Sequence, residues 1–305
     1  MTIAVATVRD RLNDAIARLA SAGVDSPRVD AEWLLAGALG VTRGRLAADG
    51  DRPLTEGSAE RYETWVRRRA RREPLQHILG TQGFRDITVR VGPDVLVPRP
   101  ETELLVAWAL ELLPAPGVRR PLVLDIGTGS GCIACALAWE RADVDIVALD
   151  ASPAAVAIAR TNSAALGVAP RVTVVVSDLF TALKPGRADL IVSNPPYLRS
   201  GEAEALPPEV RDHEPRVALD GGSDGLRFIR RLVSEASAWL LPGASLVLET
   251  AGDDHIVAVA ALMRDAGFTD VASRRDLAGV TRFVAGRRKG GGAPFRVRGA
   301  PLRGH

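Results

Sequence analysis

Val123-Leu124-Asp125-Ile126-Gly127-Thr128-Gly129-Ser130-Gly131 is the stretch on which the architecture of this 305-residue chain turns. A short apolar run of strand character meets three glycines at alternate positions, and an alanine-rich helical pattern, Cys132 to Trp139, follows at once. A buried strand that turns through glycine into a helix is the opening of a βαβ unit. Glycine lets the backbone turn through angles that a side chain forbids and lets a ligand approach closely. The helix start behind the loop adds unpaired N–H groups and positive dipole character. A nucleotide-like ligand suits such a loop, and a purely structural turn is the alternative.

Working outward, further strand patterns lie at Ile146–Asp150, Val172–Ser177, Leu190–Ser193, Ser245–Glu249, Asp270–Ser273 and Arg282–Ala285. Helical patterns separate most of them, at Pro153–Leu166, Gly225–Leu240 and Asp254–Ala266. Together with Leu122–Ile126 these make seven strands in βαβ order, which predicts a mostly parallel, doubly wound α/β sheet. Only a short loop parts the last two strands, so that pair is expected to be antiparallel.

Before the sheet, residues 1–83 read as a small helical domain, with Leu12, Ile16 and Leu19 at helical spacing and Pro27 opening a helix after Ser26. A helix from about Ser58 to Arg72 carries Arg61, Arg67, Arg68, Arg69, Arg71 and Arg72. That run predicts either a solvated face or a docking surface for an acidic partner or RNA. Residues 84–100 read as a β-hairpin linker: Ile87, Val89 and Val91, a turn at Gly92-Pro93-Asp94, then Val95 and Val97. Residues 101–286 would form the sheet domain, its first helix opened by the acids Glu101 and Glu103. Residues 287–305, with six cations, no acid and three consecutive glycines, read as a disordered tail.

Composition excludes several classes. Hydrophobic residues make up 47% and charged residues 25%, enough apolar material for a core and too much for a disordered or fibrous chain. The longest uncharged run, Ile126 to Trp139, has 14 residues, short of the roughly 20 that span a bilayer. The N-terminus lacks the pattern of a secretory signal, so a cytoplasmic protein is expected. Cys132 and Cys135 cannot form a disulfide framework, and the four histidines show no metal-ligand spacing, so no metal is expected. Net charge is +2, but the six tail cations leave residues 1–286 at −4, which argues against a stable nucleic-acid complex.

The glycine loop is narrowed by what it lacks. A dinucleotide fingerprint needs a third glycine where Cys132 stands, and a P-loop needs a lysine that is absent. A hydrolase elbow around Ser130 needs glycines where Thr128 and Cys132 stand. The remaining G-x-G-x-G pattern resembles the loop of S-adenosylmethionine-dependent methyltransferases. Asp150, ending its strand, is placed to accept hydrogen bonds from ribose hydroxyls. Asp178 is placed to meet an adenine amino group, with Leu179 and Phe180 packing on the ring.

Asn194-Pro195-Pro196-Tyr197 follows the fourth strand. Two prolines stiffen the backbone and donate no hydrogen bond. The Asn194 side-chain oxygen and the Pro195 carbonyl are then two rigid acceptors for the protons of a planar –NH2 group. Such a nitrogen is a poor nucleophile, because its lone pair is delocalised. Holding both protons favours a tetrahedral nitrogen and aims its lone pair at a methyl donor. Tyr197 can stack on the planar group and favour the developing positive charge. Asn194, Pro195 and Tyr197 are thus the candidate catalytic residues, and Pro196 joins them in binding substrate.

With Val91-Gly92-Pro93-Asp94-Val95-Leu96-Val97-Pro98-Arg99-Pro100-Glu101-Thr102-Glu103 and His213-Glu214-Pro215-Arg216-Val217-Ala218-Leu219-Asp220-Gly221-Gly222, these motifs resemble the HemK/PrmC family over about residues 10 to 286. These are the protein-(glutamine-N5) methyltransferases of peptide-chain release factors. The resemblance implies a Rossmann-like class I methyltransferase fold with a small N-terminal helical substrate-docking domain. It implies S-adenosylmethionine as cofactor and the glutamine of the release factors' Gly-Gly-Gln motif as substrate. By position it assigns Gly127, Thr128, Gly129, Ser130, Gly131, Asp150, Leu179 and Asn194 to the cofactor. Asp178 joins that set on the strand-end argument above. Thr250-Ala251 stands where the family often has a glycine and then a glutamine. Asn-Pro-Pro-Tyr is also shared by adenine-N6 methyltransferases of DNA, so a DNA or RNA adenine is the alternative substrate. A binding protein with vestigial methyl transfer is a third reading.

Overall fold

The computed structural model describes residues 6–117, 119–184 and 186–290. They fall into two compact units that do not follow chain order. Among the described residues, one comprises 6–82, Val91–Val97 and Glu204–Pro215, the other Gly83–Arg90, 98–203 and 216–290.

The first unit is helical. Thr7 caps the helix Val8–Ser21 through a reciprocal capping box with Asp10, and Pro27 opens Pro27–Leu39 at a position where its missing N–H costs nothing. Thr55 caps Glu56–Ala70. These helices bury Leu19, Leu34, Leu35, Tyr62 and Val66 in one core, and the Tyr62 hydroxyl donates to the Ala31 carbonyl at 3.2 Å. The arginine-rich helix is less solvated than its sequence suggests. Arg69 is buried, with Nε 2.7 Å from Asp30 and a second nitrogen 2.8 Å from Glu209. Arg72 grips Glu209 with two hydrogen bonds, and Arg68 pairs with Glu73. A helix that must close a small core spends part of its charge internally.

The hairpin sits earlier than the alternation predicts. Its strands are β1 (Thr81–Phe84) and β2 (Ile87–Arg90), turning at Arg85, whose φ is +49°. Val95 and Val97 are buried without being a strand and belong to the helical unit. Prolines 93 and 98 withhold the N–H groups that a second arm would need.

The second unit is built on seven strands: β3 (Leu122–Ile126), β4 (Asp145–Asp150), β5 (Val172–Val176), β6 (Ala188–Ser193), β7 (Leu240–Glu249), β8 (Phe268–Arg275) and β9 (Thr281–Arg288). Their order is β5-β4-β3-β6-β7-β9-β8, and only β9 runs against the rest. All six residues of β6 are buried, as expected of a central strand covered on both faces. The helix predicted at Gly225–Leu240 is confined to Arg227–Ala236, and β7 starts five residues early at Leu240. β9 reaches into the predicted tail: Arg287 and Arg288 pair with β8, so the strand continues past Gly286. Residues 291–305 of that tail lie outside the described residues. Among the described residues no helix is long and apolar enough to cross a membrane.

The chain winds outward from β3 to β4 and β5 on one side, then crosses back to β6 and continues the other way. The strand order therefore reverses between β3 and β6, and a crevice opens at the carboxyl ends of those two strands.

Candidate active site

The glycine loop leaves β3 at this crevice and Asn194 leaves β6 beside it. The register pairs Asp125 with Val192, and the Ser193 hydroxyl donates to the Ile126 carbonyl at 2.6 Å, tying the two strand ends together. Asp150 ends β4, paired with Val176 of β5, so Asp178 follows on the same edge. The fold thus gathers residues from four separate parts of the sequence along one edge of the sheet.

Gly127, Gly129 and Gly131 all adopt positive φ, at 72°, 54° and 79°. Gly131 also backs onto the helix Pro153–Ala165, where a Cβ would lie 3.0 Å from that of Ala159. Above Gly127 and Gly129, by contrast, a Cβ would meet nothing within 4 Å, so the backbone is open to a ligand. The loop's N–H groups are largely spent: Gly127 and Thr128 donate to the Leu149 carbonyl, Gly131 to that of Thr128, and Gly129 to Asp150 Oδ2 at 2.8 Å. A phosphate cradle needs such donors free. This loop suits a phosphate-free ligand that lies on its surface.

Asp150 also accepts from the Ser152 N–H at 2.9 Å, so each carboxylate oxygen holds one backbone donor and keeps a lone pair for another. Beneath the loop, Asp125 is fully buried, accepts from the Thr128 hydroxyl at 2.5 Å, and is pushed up to about 7 by burial. Cys132 and Cys135 are buried and free; burial pushes both thiols up to about 12, so they act as apolar core residues.

Two of the predicted adenine contacts look different in the structure. Phe180 is turned into the core and stacks on Trp239 with centroids 5.2 Å apart, so its ring is not free to cover an adenine. Asp178 is exposed and held by two hydrogen bonds from Arg231. Leu179 between them is buried with φ at +49°, a conformation that a leucine adopts only where its surroundings impose it.

Behind Asn194 lies a polar chain that sequence reasoning missed. Asn194 Nδ2 donates to Thr102 Oγ1 at 3.0 Å, the Thr102 hydroxyl donates to Glu249 Oε2 at 2.8 Å, and the Tyr197 hydroxyl reaches Glu249 Oε1 at 3.4 Å. Thr102 and Glu249 are 2% and 1% exposed, so the middle of this chain is sealed from water, while Asn194 and Tyr197 at its ends are half-buried. Burial pushes Glu249 up to about 7, against the pull of Thr102 and of the Arg282 charge. The Tyr197 phenol is likewise raised, by burial and then by the charge of Glu249. The one available signal is the place of Thr102 in the first turn of the helix Pro100–Leu112, directly after Pro98-Arg99-Pro100. The turn following the motif is equally tight: Leu198 exchanges backbone hydrogen bonds with Leu219 and Gly221, and a Cβ on Gly225 would collide with the Tyr197 carbonyl oxygen.

Comparison with known proteins identifies the family. The family model described as PrmC N-terminal domain matches residues 10–80, and that described as Methyltransferase small domain matches residues 102–207. A "Release factor glutamine methyltransferase" of Geobacter sulfurreducens is 44% identical over 92% of this chain and 96% of its own length. One of the same name from Mycolicibacterium smegmatis is 44% identical over 92% of this chain and 98% of its own. Among solved structures, the Thermus thermophilus 16S rRNA N2 G1207 methyltransferase in complex with AdoMet and guanosine superposes with a TM-score of 0.51 at 22% identity. It covers 68% of this chain and 50% of that one, a likeness of fold. The sheet order is that of a Rossmann-like class I methyltransferase. Near-complete coverage of such relatives at this identity, with the glycine loop and Asn194 on one strand edge, means that the chain belongs to the release factor glutamine methyltransferase family.

Proposed function

We propose that this protein transfers a methyl group from S-adenosylmethionine to the side-chain amide nitrogen of the glutamine in the Gly-Gly-Gln motif of peptide-chain release factors. The observation that carries this reading is the meeting of Gly127–Gly131 and Asn194-Pro195-Pro196-Tyr197 at the point where the strand order reverses.

The residues fit the cofactor. Gly127 and Gly129 leave open space above the backbone, the loop has few donors left for a phosphate, and Asp150 keeps acceptor capacity for ribose hydroxyls. In this reading Gly127–Gly131, Asp150 and Leu179 hold the cofactor, with Asp178 at the adenine end and Asn194 at the methyl end. When bound, S-adenosylmethionine supplies an electrophilic methyl group on a sulfonium. Asn194 Oδ1 and the Pro195 carbonyl accept the two amide protons of glutamine and orient its nitrogen. So held, the nitrogen would present its lone pair to that methyl group; on transfer the S–C bonding pair would stay with sulfur as a neutral thioether, and the nitrogen would give up one proton to water. Preorganised acceptors, more than general-base catalysis, lower the barrier. Tyr197, tethered at its hydroxyl by Glu249, gives the carboxamide a fixed face to lie against, and Pro196 stiffens the turn.

Residues 101–286 form the methyl-transfer domain in this reading, and the helical residues 1–83 help hold the protein substrate. The enzyme works in the cytoplasm and forms no stable nucleic-acid complex. Purified enzyme and labelled methyl donor, offered either a release factor or an adenine-containing oligonucleotide, should add one methyl mass to the glutamine-bearing peptide alone. Label on the oligonucleotide, or on neither, overturns the reading. Asn194→Ala should leave cofactor binding measurable while turnover falls by about 10²- to 10³-fold, the loss usual for one preorganised electrostatic partner.

A further inference from the structure

We propose that Thr102 and Glu249 are positioning residues: the ionised Glu249 carboxylate sets the direction of the hydrogen-bond chain through Thr102 and so turns the Asn194 carboxamide oxygen towards the substrate amide. The proposal rests on the function above and deepens it.

A threonine hydroxyl has one proton to give. Glu249 Oε2, 2.8 Å away and ionised, can only accept, so the Thr102 proton is committed to it. Thr102 Oγ1 must then receive from Asn194, and it does so from Nδ2 at 3.0 Å. With its –NH2 end engaged inward, Asn194 presents its oxygen on the other side. A proton on Glu249 removes this constraint. Glu249 can then donate to Thr102, Thr102 donates to Asn194, and the amide settles with its oxygen inward and its –NH2 outward. That end would face the glutamine –NH2 donor against donor.

The groups facing Glu249 come from three elements. Thr102 and Glu101 lie on the helix Pro100–Leu112, Tyr197 lies after β6, and Arg282 lies on β9 with its Nε held 2.9 Å from Asp276. Arg282 favours the carboxylate and Glu101 opposes it, while burial raises Glu249 to about 7. Since the active form is ionised, turnover rises with pH through this value and levels off above it.

The test measures turnover on a release factor at saturating cofactor from about pH 5.5 to pH 8.5 in wild type, Thr102→Val, Thr102→Ser and Glu249→Gln. Wild type should show an acid limb near neutrality. Thr102→Val should lose about 100-fold in kcat, with KM for the release factor and cofactor affinity nearly unchanged, and Thr102→Ser should recover most of that loss. Glu249→Gln should turn over slowly without the acid limb. Full turnover in Thr102→Val overturns the proposal, as does an acid limb that persists in Glu249→Gln. If Thr102→Val loses cofactor affinity through misfolding, Thr102→Ser decides, and its failing to approach wild-type turnover also overturns the proposal. A wild type that leaves the release factor unmethylated sinks the proposed function instead.

Discussion

Asp150 shows how one side chain can serve the loop and the ligand together. Its two oxygens bind the Gly129 and Ser152 N–H groups, so the residue shapes the turn before any ribose arrives. Asp150→Ala removes two charge-assisted hydrogen bonds and the ribose acceptor. Isothermal titration should then show cofactor affinity reduced by about 10- to 100-fold. An unchanged dissociation constant would place the ribose contact elsewhere. At this scale the strand-end positions of Asp150 and Asn194 are legible in the sequence, and the structure sets both on one edge of the sheet. The sequence misled at Phe180, because an aromatic ring next to a predicted site packs equally well inward, and here Trp239 takes it.

Among the elements, the glycine loop and the helix behind it act as one piece. Gly131 combines φ of +79° with a backbone approach to Ala159 that leaves no room for a methyl group. Gly131→Ala should cost about 2 kcal/mol in denaturant unfolding, from the left-handed backbone and the crowded contact together. Cofactor affinity should fall alongside, since the loop must move off the helix. Equal stability and affinity in that variant would show that the helix can give way. The central strands were readable because strands buried on both faces are near-continuous apolar runs, as in β3 and β6, each interrupted by one aspartate, Asp125 and Asp189. The hairpin was misplaced because alternation continues through Val95 and Val97, and only the neighbouring prolines show that no strand forms there.

For the molecule as a whole, the two compact units share one chain that leaves and returns. Glu204–Pro215, more than 120 residues beyond the last N-terminal helix, belongs with the helical unit, and there Glu209 is held by Arg69 and Arg72. Burial opposes the charge on Glu209, but the arginine hydrogen bonds win and hold its carboxyl down at about 2. A depressed acid stabilises above its unfolded value near 4.5, and that contribution is lost as pH falls towards 2. Glu209→Gln should therefore destabilise the helical unit by about 2 kcal/mol at neutral pH, leaving part of the buried Arg69 charge unpaired. Hydrogen exchange in Glu56–Ala70 reads this directly, and the difference from wild type should shrink as pH drops below about 4.5. Unaltered protection at neutral pH would make the clamp energetically idle.

The sequence alone determined the layered α/β sheet, the order of its elements, the glycine loop and the asparagine–proline turn. Each of these depends on local periodicity or on a residue type required at one position. Tertiary structure alone decided that Thr102 and Glu249, 147 residues apart, meet behind Asn194. It also decided that Phe180 faces inward and that residues 204–215 return to the helical unit. Those outcomes follow from which surfaces exclude water together once the chain has closed, and local spacing carries no record of that.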